Sequence, residues 1–160
     1  MGSVFNHIGL CVTDVERSRR FYEDVLGFDF WREFVAPDEM TAQLLDLPEP
    51  VGLTAVYLRQ DQFILELLHF ADAGTHPPAT PRVMNEVGLT HISVSVDDIH
   101  ATAAKAVEYG GSILDQTDVE LAIIKTQFLR LAAAGRERLR VGDVDTGSPQ
   151  LELEQFGKKP

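Results

Sequence analysis

Two histidines and two glutamates recur at matching places in this 160-residue chain, and together they form a metal-ligand set. His7 opens His7-Ile-Gly-Leu-Cys-Val-Thr-Asp14, and His91 opens His91-Ile-Ser-Val-Ser-Val-Asp-Asp98, 84 positions later. Glu66 lies in Leu65-Glu-Leu-Leu-His-Phe70, and Glu152 in Leu151-Glu-Leu-Glu-Gln-Phe156, 86 positions later. Such a period means two copies of one supersecondary unit. Two imidazoles and two carboxylates suit one divalent ion: Zn, Ni, Co, Mn or Fe(II). A six-coordinate site would keep two adjacent positions open for two neighbouring oxygens of a 2-oxo or 2-hydroxy carbonyl compound or a thioester. The ion would act as a Lewis acid on the developing enediolate, while a carboxylate takes the proton α to the carbonyl.

The elements that must position these groups can be read from periodicity and turn chemistry. The first copy has a strand at 4–12, then a helix with Asp14 as N-cap, a body from Arg17 to Leu26 and Gly27 as its stop. Strands are expected at Phe28–Val35, Met40–Leu47, Leu53–Arg59 and Gln62–Phe70. The second copy has a strand at Leu89–Val96 and a helix capped by Asp97 or Asp98 that ends at Gly110-Gly111. Further strands are expected at Ser112–Gln116, Arg138–Val144 and Gln150–Phe156. Leu121–Ala134 reads as strand or helix, with Leu131-Ala-Ala-Ala134 favouring helix in its later half. The result is an α+β chain of two βαβββ modules, 1–70 and 89–160, joined by a Pro/Gly-rich linker at 71–88.

Strand side chains alternate faces. His7, Gly9 and Cys11 share one face, as do His91, Ser93 and Ser95; Ile8, Leu10, Val12 and Ile92, Val94, Val96 form the apolar faces that should lie under the helices. A merely solvated face would accept Lys, Thr or Glu at the His positions. Gly and Ser beside each His instead leave room for a cavity. Glu66 falls on a strand that is apolar on both faces, where a carboxylate is costly unless paired or metal-bound.

Composition narrows the function. The chain is 44% hydrophobic and 24% charged, as a soluble globular protein is. Its formal charge of −11 disfavours nucleic acid and anionic membrane as partners. No apolar run suffices for a membrane span, and no basic-then-apolar leader opens the chain, so a cytoplasmic setting is expected. The single cysteine, Cys11, excludes an internal disulfide and fits a reducing compartment.

The motifs resemble the vicinal oxygen chelate superfamily, which includes glyoxalase I, methylmalonyl-CoA epimerase, extradiol dioxygenases, and fosfomycin and bleomycin resistance proteins. The resemblance rests on His7 to Asp14, Phe21-Tyr22, Val25-Leu-Gly-Phe28, Leu89-Thr-His-Ile92 and Val96-Asp-Asp98, and it spans about residues 4–156. It implies two tandem modules whose curled mixed sheets form a metal cleft, with His7, Glu66, His91 and Glu152 as ligands, and a homodimer. It also implies that Glu152 is the first choice for the base, if it leaves the metal as in glyoxalase I, with Glu66 second. Glutathione-using glyoxalases have Arg and Asn where this chain has Cys11 and Phe70, which argues against that substrate. The family epimerase has a second carboxylate where this chain carries Gln43. The expected function is a metal-dependent isomerase or lyase of glyoxalase I or acyl-CoA epimerase type. Alternatives are a non-catalytic small-molecule binding or resistance protein, a fosfomycin-type transferase, and an extradiol dioxygenase. The dioxygenase is disfavoured because a fourth protein ligand would occupy the room that O₂ needs.

Other polar residues read as structural. Cys11 is taken as a small buried filler, His69, His76 and His100 as solvated, and Phe21 and Tyr22 as core. Arg136, Arg138 and Arg140 share one strand face and are taken as edge charges.

Overall fold

The computed structural model describes residues 2–76, 85, 87–89 and 91–113, with the backbone of the strands Val119–Leu121, Thr126–Ala132 and Arg138–Val144. The fold is α+β, with two open mixed sheets. The first has the order β1 (Ile8–Cys11), β4 (Phe63–Phe70), β3 (Leu53–Gln60), β2 (Asp29–Val35). β1 runs parallel to β4, and the other pairs are antiparallel. The second sheet has the order β5 (Ile92–Val96), β9 (Arg138–Val144), β8 (Thr126–Ala132), β6 (Ser112–Ile113), with β7 (Val119–Leu121) also paired to β8. β5 is parallel to β9 as β1 is to β4.

The helices form where the caps require them. Asp14 Oδ1 accepts from the Arg17 backbone N–H at 3.0 Å and starts α1 (Val15–Arg20), which continues as a π-helical turn over Phe21–Val25. Asp98 Oδ1 accepts from Ala101 N–H at 2.9 Å and starts α3 (Ile99–Glu108). Each cap satisfies an orphan donor of the first turn. Gly27 and Gly110 hold the left-handed conformation (φ 73° and 82°) that ends the two helical segments.

One core lies between the two helices and the apolar sheet faces. Val12, Phe21, Tyr22, Leu26, Val56, Leu58, Leu65 and Leu67 are buried with Ile99, Ala103 and Ala106, and Ile92, Val94 and Val96 pack against them. Burying a Leu-sized side chain stabilises the fold by roughly 1.5–3 kcal/mol. Arg17 Nη2 donates to the Gly110 carbonyl at 3.3 Å, and the Lys105 ammonium donates to the Asp24 carbonyl, tying the helices together.

Two expected elements differ. Met40–Leu47 is not a strand: Asp38–Leu45 forms a helix, α2, between β2 and β3. Asp38 and Glu39 favour its N-terminus, Thr41 Oγ1 donates to the Pro37 carbonyl at 2.8 Å, and Asp46 closes it in the left-handed region. Its buried residues are Thr41 and Ala42, and Ala42 packs with Val51 and Leu53, while Met40 and Leu44 stay exposed. Within Leu121–Ala134, the segment Thr126–Ala132 is strand rather than helix. β8 pairs with β9 over all seven of its residues, and that ladder outweighs the helix propensity of Leu and Ala. The strand expected at Gln150–Phe156 lies outside the described residues.

Candidate metal centre

His7 and His91 hold equivalent places, each just before the first strand of its sheet. Both are exposed, as are Gly9, Cys11, Ser93 and Ser95, while Leu10, Ile92 and Val94 pack on the core and Ile8 is half-buried. The alternation expected for the two strands therefore holds, and the small-residue faces are open.

The first sheet brings His7 and Glu66 together. Nε2 of His7 lies 3.1 Å from Oε2 of Glu66. Glu66 is held at this point by the parallel register, which sets it opposite Gly9. Gly9 leaves the space: a Cβ there would lie 3.3 Å from Glu66 Oε2 and 3.3 Å from Leu68 Cδ1. The Glu66 side chain is only 12% exposed, against 36% for His7. Its neighbours on the strand face, Ile64 and Leu68, are apolar, as the sequence pattern implied. On the far side of the imidazole, Nδ1 is 2.6 Å from Asn6 Oδ1. Donation of the Nδ1 proton to that amide oxygen would leave the Nε2 lone pair, like the Glu66 carboxylate, to an ion bound by both, the arrangement that orients a metal-ligating histidine.

The sheet extends this pair into a row. Gly9, Glu66, Tyr57 and Arg32 are successive cross-strand partners on β1, β4, β3 and β2. The Tyr57 ring meets the His7 ring edge-on, with centroids 5.9 Å apart. Burial raises the Tyr57 pKa, and hydrogen bonding to Glu66 and the charge of that carboxylate raise it further. The phenol therefore stays neutral and serves as a donor to Glu66. Asn6, Tyr57 and Arg32 were not singled out from sequence. The antiparallel register of β3 on β4 is the signal that finds Tyr57, because it sets Tyr57 opposite Glu66.

The donor chemistry fits a divalent ion. Two ligands each about 2.1 Å from one ion and at right angles lie about 3.0 Å apart, close to the separation of Nε2 and Oε2. Among the described residues no three His, Cys, Asp or Glu side chains converge. His91 instead lines a cavity of about 580 Å³ with Ile8, Phe28, Gln60, Asp61 and Phe63. Glu152 lies outside the described residues. In the second sheet the backbone partner of Ser93 is Arg140, where the partner of Gly9 in the first is Glu66.

The remaining candidates are placed as follows. Cys11 is exposed on the His7 face rather than buried as filler. Gln43 lies on α2, exposed, and not on a strand. His69 is half-buried, and its Nδ1 lies 3.4 Å from the Val12 carbonyl, so it is not simply solvated. His76 and His100 are exposed, and Phe21 and Tyr22 are fully buried.

Residues 4–121 match the family model of the Glyoxalase/Bleomycin resistance protein/Dioxygenase superfamily. The chain belongs to that superfamily, as its motifs suggested. Mitochondrial methylmalonyl-CoA epimerase from Bos taurus is 23% identical over 150 residues, covering 94% of this chain and 73% of the relative. A glyoxalase family protein from Bacillus cereus has the same fold, with a TM-score of 0.75 at 11% identity over 87% of this chain and 92% of the other. The fosfomycin resistance protein FosX of Listeria monocytogenes, solved with Mn(II) and sulfate, superposes with a TM-score of 0.58 at 10% identity, covering 96% and 99%. No helix among the described residues is long and apolar enough to cross a membrane.

Proposed function

We propose that the protein is a divalent-metal-dependent isomerase or lyase of the acyl-CoA epimerase or glyoxalase type. Its substrate is a 2-oxo or 2-hydroxy carbonyl compound, or a thioester or thiol adduct of one. The carrying observation is the His7–Glu66 pair at 3.1 Å, set on an open face and backed by Asn6 and Tyr57. The epimerase relative, similar over most of its length, supports the reaction class. In this reading His7 and Glu66, which the fold brings together, hold the ion, and His91 and Glu152 would have to reach it to complete the set. When bound, the ion supplies Lewis-acid stabilisation of the negative charge that develops on the substrate oxygens.

The chain's own groups divide the remaining work. Glu66, which accepts from Tyr57 on the neighbouring strand, has the fixed orientation of a ligand. The proton α to the carbonyl therefore falls to Glu152, with Glu66 as the fallback base. Gly9, Ser93 and Ser95 leave room for the substrate. A cytoplasmic homodimer completes the reading, and light scattering tests the dimer.

Elemental analysis tests the centre, on protein purified without an affinity-metal column and beside the His7→Ala variant. About one divalent ion per chain is expected, lost in the variant. No ion, and none taken up from added Ni, Co, Mn or Zn, would overturn the reading. The cavity beside His91 favours a second reading, a non-catalytic small-molecule binder. Ligand-induced thermal stabilisation without turnover would select it.

A further inference from the structure

The aromatic and cationic end of the Glu66 row is not explained by metal binding. The guanidinium carbon of Arg32 lies 4.4 Å from the ring centroid of Trp31 and 4.4 Å from that of Tyr57. The two rings meet edge to face, with centroids 6.2 Å apart at 84°. A β-bulge between Phe30 and Arg32 makes this corner: it inserts Trp31 as an extra residue, so that Trp31 and Arg32 stand together opposite Tyr57. The arginine is thus oriented by two rings yet exposed, and Trp31 is itself 44% exposed.

Charge sharpens the point. The chain has 25 acidic and 14 basic side chains, yet among the described residues no carboxylate pairs with Arg32. One guanidinium N–H is given to the Tyr57 oxygen and the rings cover the faces, which leaves the rest of the in-plane N–H edge for a planar oxyanion. Arg32 is separated from Glu66 only by Tyr57, two strand spacings or about 10 Å between backbones.

We propose that Arg32, held in the Trp31–Tyr57 corner, is the anion anchor of the His7–Glu66 cleft. The ligand therefore carries a second oxyanion group, a carboxylate or a phosphate, at the end remote from the metal-facing oxygens. This rests on the metal-centre reading for the position of the first oxygens, but the anchor itself is a property of the apo sheet. Arg32 is a specificity-determining residue and takes no part in proton transfer.

Trp31 is the only tryptophan in the chain, so its fluorescence reports on this corner directly. Wild type, Arg32→Gln and Arg32→Lys are titrated with glutarate, 4-phosphonobutyrate and butyrate, each with Mn(II) and again in EDTA. Wild type should bind at least one of the two dianions more tightly than butyrate, and the tighter of them names the group. Arg32→Gln should lose about tenfold in affinity for that dianion and nothing for butyrate. Arg32→Lys should fall between the two, since it keeps the charge without the planar fork. If wild type treats all three ligands alike, or if Arg32→Gln keeps the dianion preference, the proposal is overturned. Failure of the metal-centre reading looks different: Mn(II) and EDTA give the same affinities, while the Arg32 dependence remains.

Discussion

Adding one methyl group at Gly9 should separate metal binding from folding. Gly9 lies in β1 with no positive φ, so alanine can adopt its backbone without strain. Gly→Ala at a compatible position stabilises by roughly 0.4–1 kcal/mol through the unfolded chain. The new Cβ would stand 3.3 Å from both Glu66 Oε2 and Leu68 Cδ1, tight enough that each must give by a few tenths of an ångström. These contacts offset the gain, so the apo protein should change by less than about 1 kcal/mol. The carboxylate has less freedom, because Tyr57 donates to it and His7 Nε2 lies 3.1 Å away. Metal-ligand distances tolerate only about 0.2 Å, and disturbing what orients a ligand costs roughly 10–100-fold in affinity. Gly9→Ala should therefore bind Mn(II) at least about tenfold more weakly, or about 1.4 kcal/mol. The assay is competition with a chromophoric chelator, beside urea unfolding of the EDTA-treated proteins. Unchanged affinity would refute the argument. So would a loss of apo stability above about 2 kcal/mol, because Gly9 would then serve packing rather than the centre.

Three further outcomes are expected. Tyr57→Phe keeps the ring contacts but removes the donor to Glu66; metal affinity should fall about tenfold with little shift in the urea midpoint, as read by the same competition assay. Leu65→Ala, at a fully buried core position, should lose 2–5 kcal/mol in urea unfolding while metal bound per folded chain stays constant. Asp14→Ala and Asp98→Ala should each lose about 1 kcal/mol through their helix caps, and the double variant should show whether the losses add.

Much of the frame was legible because local rules dominate there. Asp14 and Asp98 are caps whose carboxylates have first-turn N–H groups within reach, so the two helix starts follow from sequence. The alternation of His7, Gly9 and Cys11 against Ile8, Leu10 and Val12 fixed which face of β1 turns outward. β2, β3 and β4 were readable as β-branched and aromatic runs between turn residues. The helix at Asp38–Leu45 was not, because Met40, Ala42 and Leu44 alternate as a strand would. What accompanies the helix there is the burial of Ala42 against Val51 and Leu53, a tertiary contact.

By itself the sequence determined the repeat, the polarity of the first strands and the candidate donors His7, Glu66, His91 and Glu152. These are consequences of period and side-chain chemistry. Only the tertiary structure decided which donors meet. It set Glu66 beside His7 through the parallel register of β1 on β4, and His91 on a separate cavity with Ile8 and Phe63. It also assembled Tyr57, Trp31 and Arg32 at the end of that row, from strands that are distant in the chain. Cross-strand register depends on how whole strands slide against one another, and no local rule encodes it.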